Sequence, residues 1–236
     1  MAGIDGAKRF YDRAEVIRQS GSFTVALDGR AIKTPAAADL VLPTEALAEA
    51  VAGEWNGQGK TLDAATMPMF RSAATVIDRV APKRAEVIHV TLKFGETDLL
   101  CYRADAPDDL VQQQSALWQP WLDWAASVFG AEMKVTTGIV PINQPAAAIA
   151  ALTNTTEGLN DYQLLSVSAA AAAAGSLILG LALGQEALSP EEAAALALLD
   201  DLYQVERWGD DADAEINRRR VESEIADAAR FLELCR

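Results

Sequence analysis

A chain of 236 residues, half of them apolar, can bury a full core without a disulfide or metal staple. Its formal charge of −14 repels phosphate backbones and anionic lipid, so nucleic acid and membrane surfaces are poor partners and other proteins remain. Two cysteines without CxxC spacing, Cys101 and Cys235, and a single histidine, His89, supply no disulfide framework, few zinc sites and no imidazole triad; a reducing compartment fits. No cofactor and no metal is expected.

Residues 1–7 lack a basic stretch followed by an apolar one, so no signal peptide is expected. Ala14 to Gln19 reads as a short strand, turned at Ser20-Gly21-Ser22, and Phe23 to Leu27 alternates with a period of two. Asp28-Gly29 suits a tight hairpin turn, Arg30 to Lys33 a returning strand, and Leu40-Val41-Leu42 a further one. Thr44 is placed to cap a helix from Glu45 to about Trp55. Further helices are expected from Pro68, from Pro82 to about Arg103, and from Pro107 onward, with Pro120 kinking or dividing the last. On that helix Leu110, Leu117, Trp121, Trp124 and Val128 form the apolar face.

Val135 to Pro145 looks extended, and helices resume to the end. Leu164 to Gly184 carries no charge, which is long enough to span a membrane. Its alanines, serines and glycines, the absence of basic flanks and the missing aromatic belt favour a helix buried on all sides in a globular domain. The GxxxG spacing of Gly180 and Gly184 then serves close packing. Ser189-Pro190-Glu191-Glu192 combines a capping box with proline at the first helical position. The last helix keeps Val221, Ile225, Ala228 and Leu232 on one stripe. The composition shifts between about Gly59 and Pro82. The expected fold is α+β: a small N-terminal antiparallel β-sheet domain with a helix, residues 1–77, followed by a larger all-α domain, residues 78–236.

Chemistry is sparsely supplied. Gly57-Gln58-Gly59-Lys60-Thr61 echoes a phosphate loop but lacks its first glycine and follows a helix. Asp108-Asp109, Asp200-Asp201 and Asp210-Asp211 are sequence neighbours, and adjacent helical acids diverge by about 100° instead of converging on one space. They read as solvated surface. Arg218-Arg219-Arg220, among Glu215, Glu222 and Glu224, reads as a charge-laced helix face. His89, within Val87-Ile88-His89-Val90, reads as a packed or half-exposed helix residue. Trp55 beside Glu54 is either packed between sheet and helix or, if exposed, a binding anchor.

An ordered set of motifs carries a resemblance. Lys8-Arg9-Phe10-Tyr11, Leu27-Asp28-Gly29-Arg30, Lys33-Thr34-Pro35, Glu54-Trp55 with Gln58, and Met67-Pro68 are followed by Thr97-Asp98 and Cys101-Tyr102-Arg103. Trp118 to Trp124, the Ser166 to Leu183 stretch, Tyr203-Gln204 and Trp208-Gly209 complete the set over residues 8 to 235. Together they resemble the assembly chaperones of the ATP synthase F₁ alpha subunit. The resemblance implies a chaperone and not an enzyme, one that binds the free alpha subunit and covers the surface later given to beta. It implies a functional acid just before the Tyr-Gln pair, here Asp200 with Asp201 beside it, and a partner-binding set that adds Gln204, Trp208, Trp55 and Glu54. With no transit peptide expected, it implies a bacterial cytoplasmic protein, monomeric when free because no heptad seam is sustained. Two alternatives stand beside it: an acid-dependent enzyme using Asp200, Asp201 or Glu206, and a general protein-binding adaptor.

Overall fold

Alternating side chains build a three-stranded antiparallel sheet in the order β1 (Ala14–Gln19), β2 (Ser22–Leu27), β3 (Arg30–Ala31). The computed structural model describes residues 5–19, 21–209 and 211–236; Ser20 of the expected first turn, Asp210 of the third acid pair and residues 1–4 of the N-terminal reading lie outside them. Asp28 and Gly29 have φ of 47° and 79°, the doubly left-handed hairpin turn that suits the right-handed strand twist. The N–H groups of Arg13 and Asp12 donate to the Asp28 carboxylate and hold its pKa below the usual value. The returning strand is shorter than Arg30 to Lys33, because Lys33 leaves the sheet to bridge Asp39. Leu42 covers the vacated end of the β2 edge, exchanging backbone hydrogen bonds with Phe23 at 3.0 and 2.8 Å.

Helix α1 (Glu45–Asn56) packs on β1 and β2 through Leu47, Ala48, Val51, Ala52 and Trp55, and the Thr44 side chain accepts from the Leu47 N–H as its cap. Helix α2 (Pro68–Thr75) runs into a π turn at Val76–Val80 and a 3₁₀ turn at Ala81–Lys83 before α3 (Arg84–Glu96). Pro82 has no N–H to donate, and the irregular turns surround it. The third helix stops at Glu96, seven residues before the expected end. There the Asp98 side chain caps a 3₁₀ turn at Leu99–Cys101, and Tyr102–Arg103 become β4, paired in parallel with β5 (Thr136–Thr137).

The chain divides into two compact units, residues 1–84 with 230–236, and residues 85–229. In the second, α4 (Asp108–Phe129) passes Pro120 undivided. Pro120 is exposed and so is Ala116, whose carbonyl water can satisfy. The buried face of α4 is Gln114, Trp118, Leu122 and Ala125, one residue round from the expected stripe, while Leu117 and Val128 are exposed and Trp121 and Trp124 half-buried. Trp118 decides the rotation: it is fully buried, and its indole N–H donates to the Leu196 carbonyl at 3.0 Å. α5 (Ala146–Glu157) follows. The uncharged stretch then forms two helices and not one, α6 (Asp161–Ala174) and α7 (Leu177–Gly184), separated by Gly175 at φ 67° and the capping Ser176. Residues 177–183 are all buried. No helix among the described residues is long and apolar enough to cross a membrane.

A Cβ at Gly180 would stand 2.8 Å from the Val167 carbonyl oxygen, and one at Gly184 2.9 Å from Val167 Cγ2, so this spacing serves core packing of α7 on α6. α8 (Pro190–Ala197) begins with the full capping box of Ser189 and Glu192. α9 (Leu199–Trp208) and α10 (Ala212–Leu234) end the chain, and Val221, Ile225, Ala228 and Leu232 of α10 are all buried, as their spacing predicts. Its final turn belongs to the first unit, where the Thr44 hydroxyl donates to the Leu234 carbonyl.

Two consequences concern stability. Gly180→Ala gains about 1 kcal/mol of helix propensity, but must push a backbone carbonyl aside, a strain of about 1–3 kcal/mol or more. Its urea midpoint is expected below that of the wild type; a midpoint at or above it would show that α6 and α7 separate freely. Asp98 is wholly buried at the start of α7, and desolvation lifts its pKa to about 6 against hydrogen bonds from Ile178, Ser176, Leu100 and Leu177 that favour the charge. Between the unfolded value and about 6 the folded chain keeps a proton that the unfolded chain has released. Stability from this group is therefore full below that window and lost as pH rises through it, by roughly 3 kcal/mol at 1.4 kcal/mol per unit. Asp98→Asn has no such loss, so urea unfolding from pH 4 to pH 7 should shift in its favour relative to wild type. Parallel profiles would refute this.

Candidate functional site

Helix α9 gathers most of the residues singled out above, and its sequence explains how it sits. Leu199 and Tyr203, one turn apart, are buried, leaving Leu202, Gln204, Glu206 and Trp208 outward. Trp208 is 74% exposed and Leu202 43%, large apolar side chains that a surface helix ordinarily buries. Ile216, in the second turn of α10, is exposed as well.

Asp200 and Asp201 diverge, as neighbours on a helix must, and each meets a different element. Asp200 Oδ1 accepts from the Gln114 side-chain amide at 2.7 Å. Gln114 is buried in α4, and its Oε1 accepts from the Ala104 N–H at 2.7 Å, so the amide orientation is fixed from both ends. Asp201 Oδ2 pairs at 2.9 Å with the guanidinium of Arg218, a buried arginine on α10. The basic triplet thus splits: Arg219 and Arg220 pair along the helix with Glu215 and Glu224, while Arg218 turns inward.

A second tie joins α9 to the start of α4. The Tyr203 hydroxyl donates to Asp109 Oδ1 at 2.8 Å, the Arg207 guanidinium reaches Oδ2, and the same guanidinium lies 4.6 Å from the Tyr203 ring centre. The tyrosine hydrogen bond, with Arg207, holds the Asp109 carboxyl below its usual pKa. Burial, then the bond to Asp109, raises that of Tyr203. Asp109 is therefore engaged, although its sequence suggested a solvated acid.

Glu54 and Trp55 lie in the first unit, inside its framework. The two oxygens of Glu54 accept from the Met69 and Phe70 N–H groups at 2.7 and 2.8 Å, occupying donors that the start of α2 leaves open. Trp55 is only 3% exposed, edge-on to Tyr11 and Phe70 at 5.6 and 5.2 Å. Of its two sequence readings, packing is the one the structure has, and the expectation of an exposed anchor is corrected. Arg9 donates to the carbonyls of Tyr11, Asn56, Gln58 and Asp12, and Gln58 ties Glu54, Thr66 and Asp63. The N-terminal motifs thus form the scaffold of this unit.

The carboxylates of α9 do not face one another across a cleft, and among the described residues no three acids, histidines or cysteines gather as a metal site would require. His89 is exposed on α3. What α9 offers outward is two large apolar side chains, Leu202 and Trp208, with the polar Gln204 and Glu206, on a helix whose Asp200 and Asp201 are spent on neighbouring helices, a surface suited to binding a protein.

The comparisons agree with a binding protein. The sequence model of the ATP12 chaperone protein family matches residues 8–126. The crystal structure of Atp12 from Paracoccus denitrificans is 37% identical and superposes with a TM-score of 0.92, covering 98% of this chain and 99% of that one. An aspartate-to-lysine mutant of the same organism's Atp12p gives the same identity and TM-score, with 98% of each chain covered. The mitochondrial protein atp12 of Schizosaccharomyces pombe is 26% identical over 235 residues, 94% of this chain and 81% of that protein. This chain belongs to the ATP12 chaperone family, whose members serve ATP synthase assembly and are not enzymes.

The ties of α9 are open to test. Asp200→Asn keeps an oxygen that can accept from Gln114, whereas Asp200→Ala leaves a buried amide donor unpaired, at about 1–3 kcal/mol. Urea unfolding should place the alanine variant below the asparagine one by that margin. Equal stabilities would show that the Gln114 bond holds nothing.

Proposed function

We propose that this chaperone holds the free alpha subunit of F₁ ATP synthase through the outward face of α9, shielding the surface that alpha later gives to beta. The observation that carries the reading is the exposure of Trp208 and Leu202 on a helix whose Asp200 and Asp201 are engaged by neighbouring helices. An unassembled subunit exposes an apolar interface that would otherwise aggregate, and a partner for it needs an apolar area with a polar rim. Gln204 and Glu206 supply the rim on α9 itself. The family assignment supports the setting in ATP synthase assembly, and the alpha subunit is the client implied by the sequence resemblance. The chaperone acts as a monomer in a bacterial cytoplasm, a setting consistent with its bacterial structural relatives.

Asp200 and Asp201 have a positioning role in this reading. They set the height and rotation of α9, so a lysine at 200, which cannot accept from Gln114, would displace the face as well as reverse its charge. Trp208 is the direct anchor. Purified protein should suppress light scattering by isolated alpha subunit. Trp208→Ala should weaken the hold by about 30-fold, the loss of a 2 kcal/mol hot spot, with the urea midpoint unchanged because the side chain lies outside the core. Asp200→Lys should weaken it and Asp200→Asn largely preserve it. A wild-type protein that never associates with alpha subunit would end the reading.

A further inference from the structure

The acid of this chain is not spread evenly. Residues 1–84 and 230–236 hold 13 Lys and Arg against 11 Asp and Glu, while residues 85–229 hold 7 against 23. The whole excess of negative charge therefore lies in the helical unit. A groove of about 300 Å³ opens in that unit between α8, α9 and α10. Ala194 and Leu198 are its buried floor, Ala195, Leu202 and Ala226 its exposed walls, and Glu191 and Glu222 stand exposed at the rim. Three alanines make the hollow, because longer side chains at those helix positions would fill it.

We infer that this groove receives an amphipathic segment of the client, an aliphatic side chain seated on the alanine floor with Lys or Arg on either side meeting Glu191 and Glu222. The inference rests on the reading of the protein as an alpha-subunit chaperone and names the part of that client which is gripped. The charge pattern argues for this occupant. A wholly apolar segment would leave two glutamates desolvated without a partner, and an acidic one would be repelled by rim and unit alike. A basic-flanked helix or extended segment satisfies both the floor and the rim. The Asp201–Arg218 ion pair joins α9 to α10, the two walls that Leu202 and Ala226 line. Leu202 is shared between the groove and the α9 face, so the two surfaces are continuous.

Ala195→Trp and Ala226→Trp, each made at an exposed position, fill the groove from opposite walls, and Glu191→Lys with Glu222→Lys reverses its rim. Binding of isolated alpha subunit is measured for each at low and high salt, beside an Ala116→Trp control on the exposed face of α4, with urea midpoints recorded for all. The expected result is at least a tenfold weaker hold for both tryptophan variants at unchanged midpoint, and a tenfold or larger loss for the rim variant that shrinks as salt rises. Wild type that holds alpha while both tryptophan variants hold it equally overturns the groove and leaves the chaperone reading standing. Tryptophan variants that lose binding beside a rim variant that does not overturn the basic flanks. Wild type that fails to hold alpha overturns the underlying reading and this inference with it.

Discussion

The arrangement of the helical surface depends on α9 having Asp200 and Asp201 engaged by neighbouring helices. Asp200 is bonded by a glutamine locked in α4, Asp201 by a buried arginine of α10, and Asp109 reaches back from α4 to Tyr203 and Arg207. Each contact alone is modest, since a net hydrogen bond is worth about 1 kcal/mol. Their joint effect is directional. A ten-residue helix with little apolar area to bury would otherwise fray or rotate, and these ties fix which of its faces looks outward. Trp208 and Leu202 are exposed because the opposite side of α9 is already spoken for.

That geometry separates two roles that acids on a binding helix are easily assumed to combine. A carboxylate on a binding surface gains orientation and association rate from its charge, and adds less to affinity. A carboxylate bonded to a buried amide sets structure, and replacing it by a base disturbs everything the helix presents. In the proposed reading, the acidity of the helical unit as a whole supplies the long-range attraction without requiring Asp200 or Asp201 to touch a client. A holder that must later give up its subunit gains from this division, because attraction spread over many exposed charges is screened and reversible, whereas a desolvated ion pair is not.

The elements that the sequence revealed are those in which local chemistry is self-sufficient. Asp28-Gly29, the Thr44 cap, the Ser189–Glu192 box and the α10 stripe each need only residues within a few positions. Sequence pattern and structure part where a distant partner decides. The buried stripe of α4 lies one residue round from the apolar pattern because Trp118 is fixed by the Leu196 carbonyl, 78 positions away, although Gln114, Trp118, Leu122 and Ala125 already show helical spacing. The break between α6 and α7 was signalled by Gly175-Ser176 but hidden by the apolar run on both sides. At the site, Trp208 and Gln204 enter through the family resemblance alone, and nothing marks Gln114 or Arg218, since a lone glutamine and one arginine of three carry no sign of burial.

Motifs that identify a family need not be the ones that meet its partner. Arg9, Tyr11, Glu54, Trp55, Gln58 and Met67 are ordered along the sequence in a way that makes the resemblance specific, yet in the first unit the first five bond or pack against one another and Met67 is fully buried. A cluster with so many mutual hydrogen bonds tolerates few substitutions, because each change leaves a buried group unpaired, and this preserves its pattern whatever the unit binds. Truncating Trp55 would remove a core indole and cost about 3–5 kcal/mol, with no contact to a client required. The groove alanines are the opposite case. Ala195 and Ala226 are exposed, small and unbonded at their side chains, so the fold places almost no demand on them and only an occupant would forbid larger residues there.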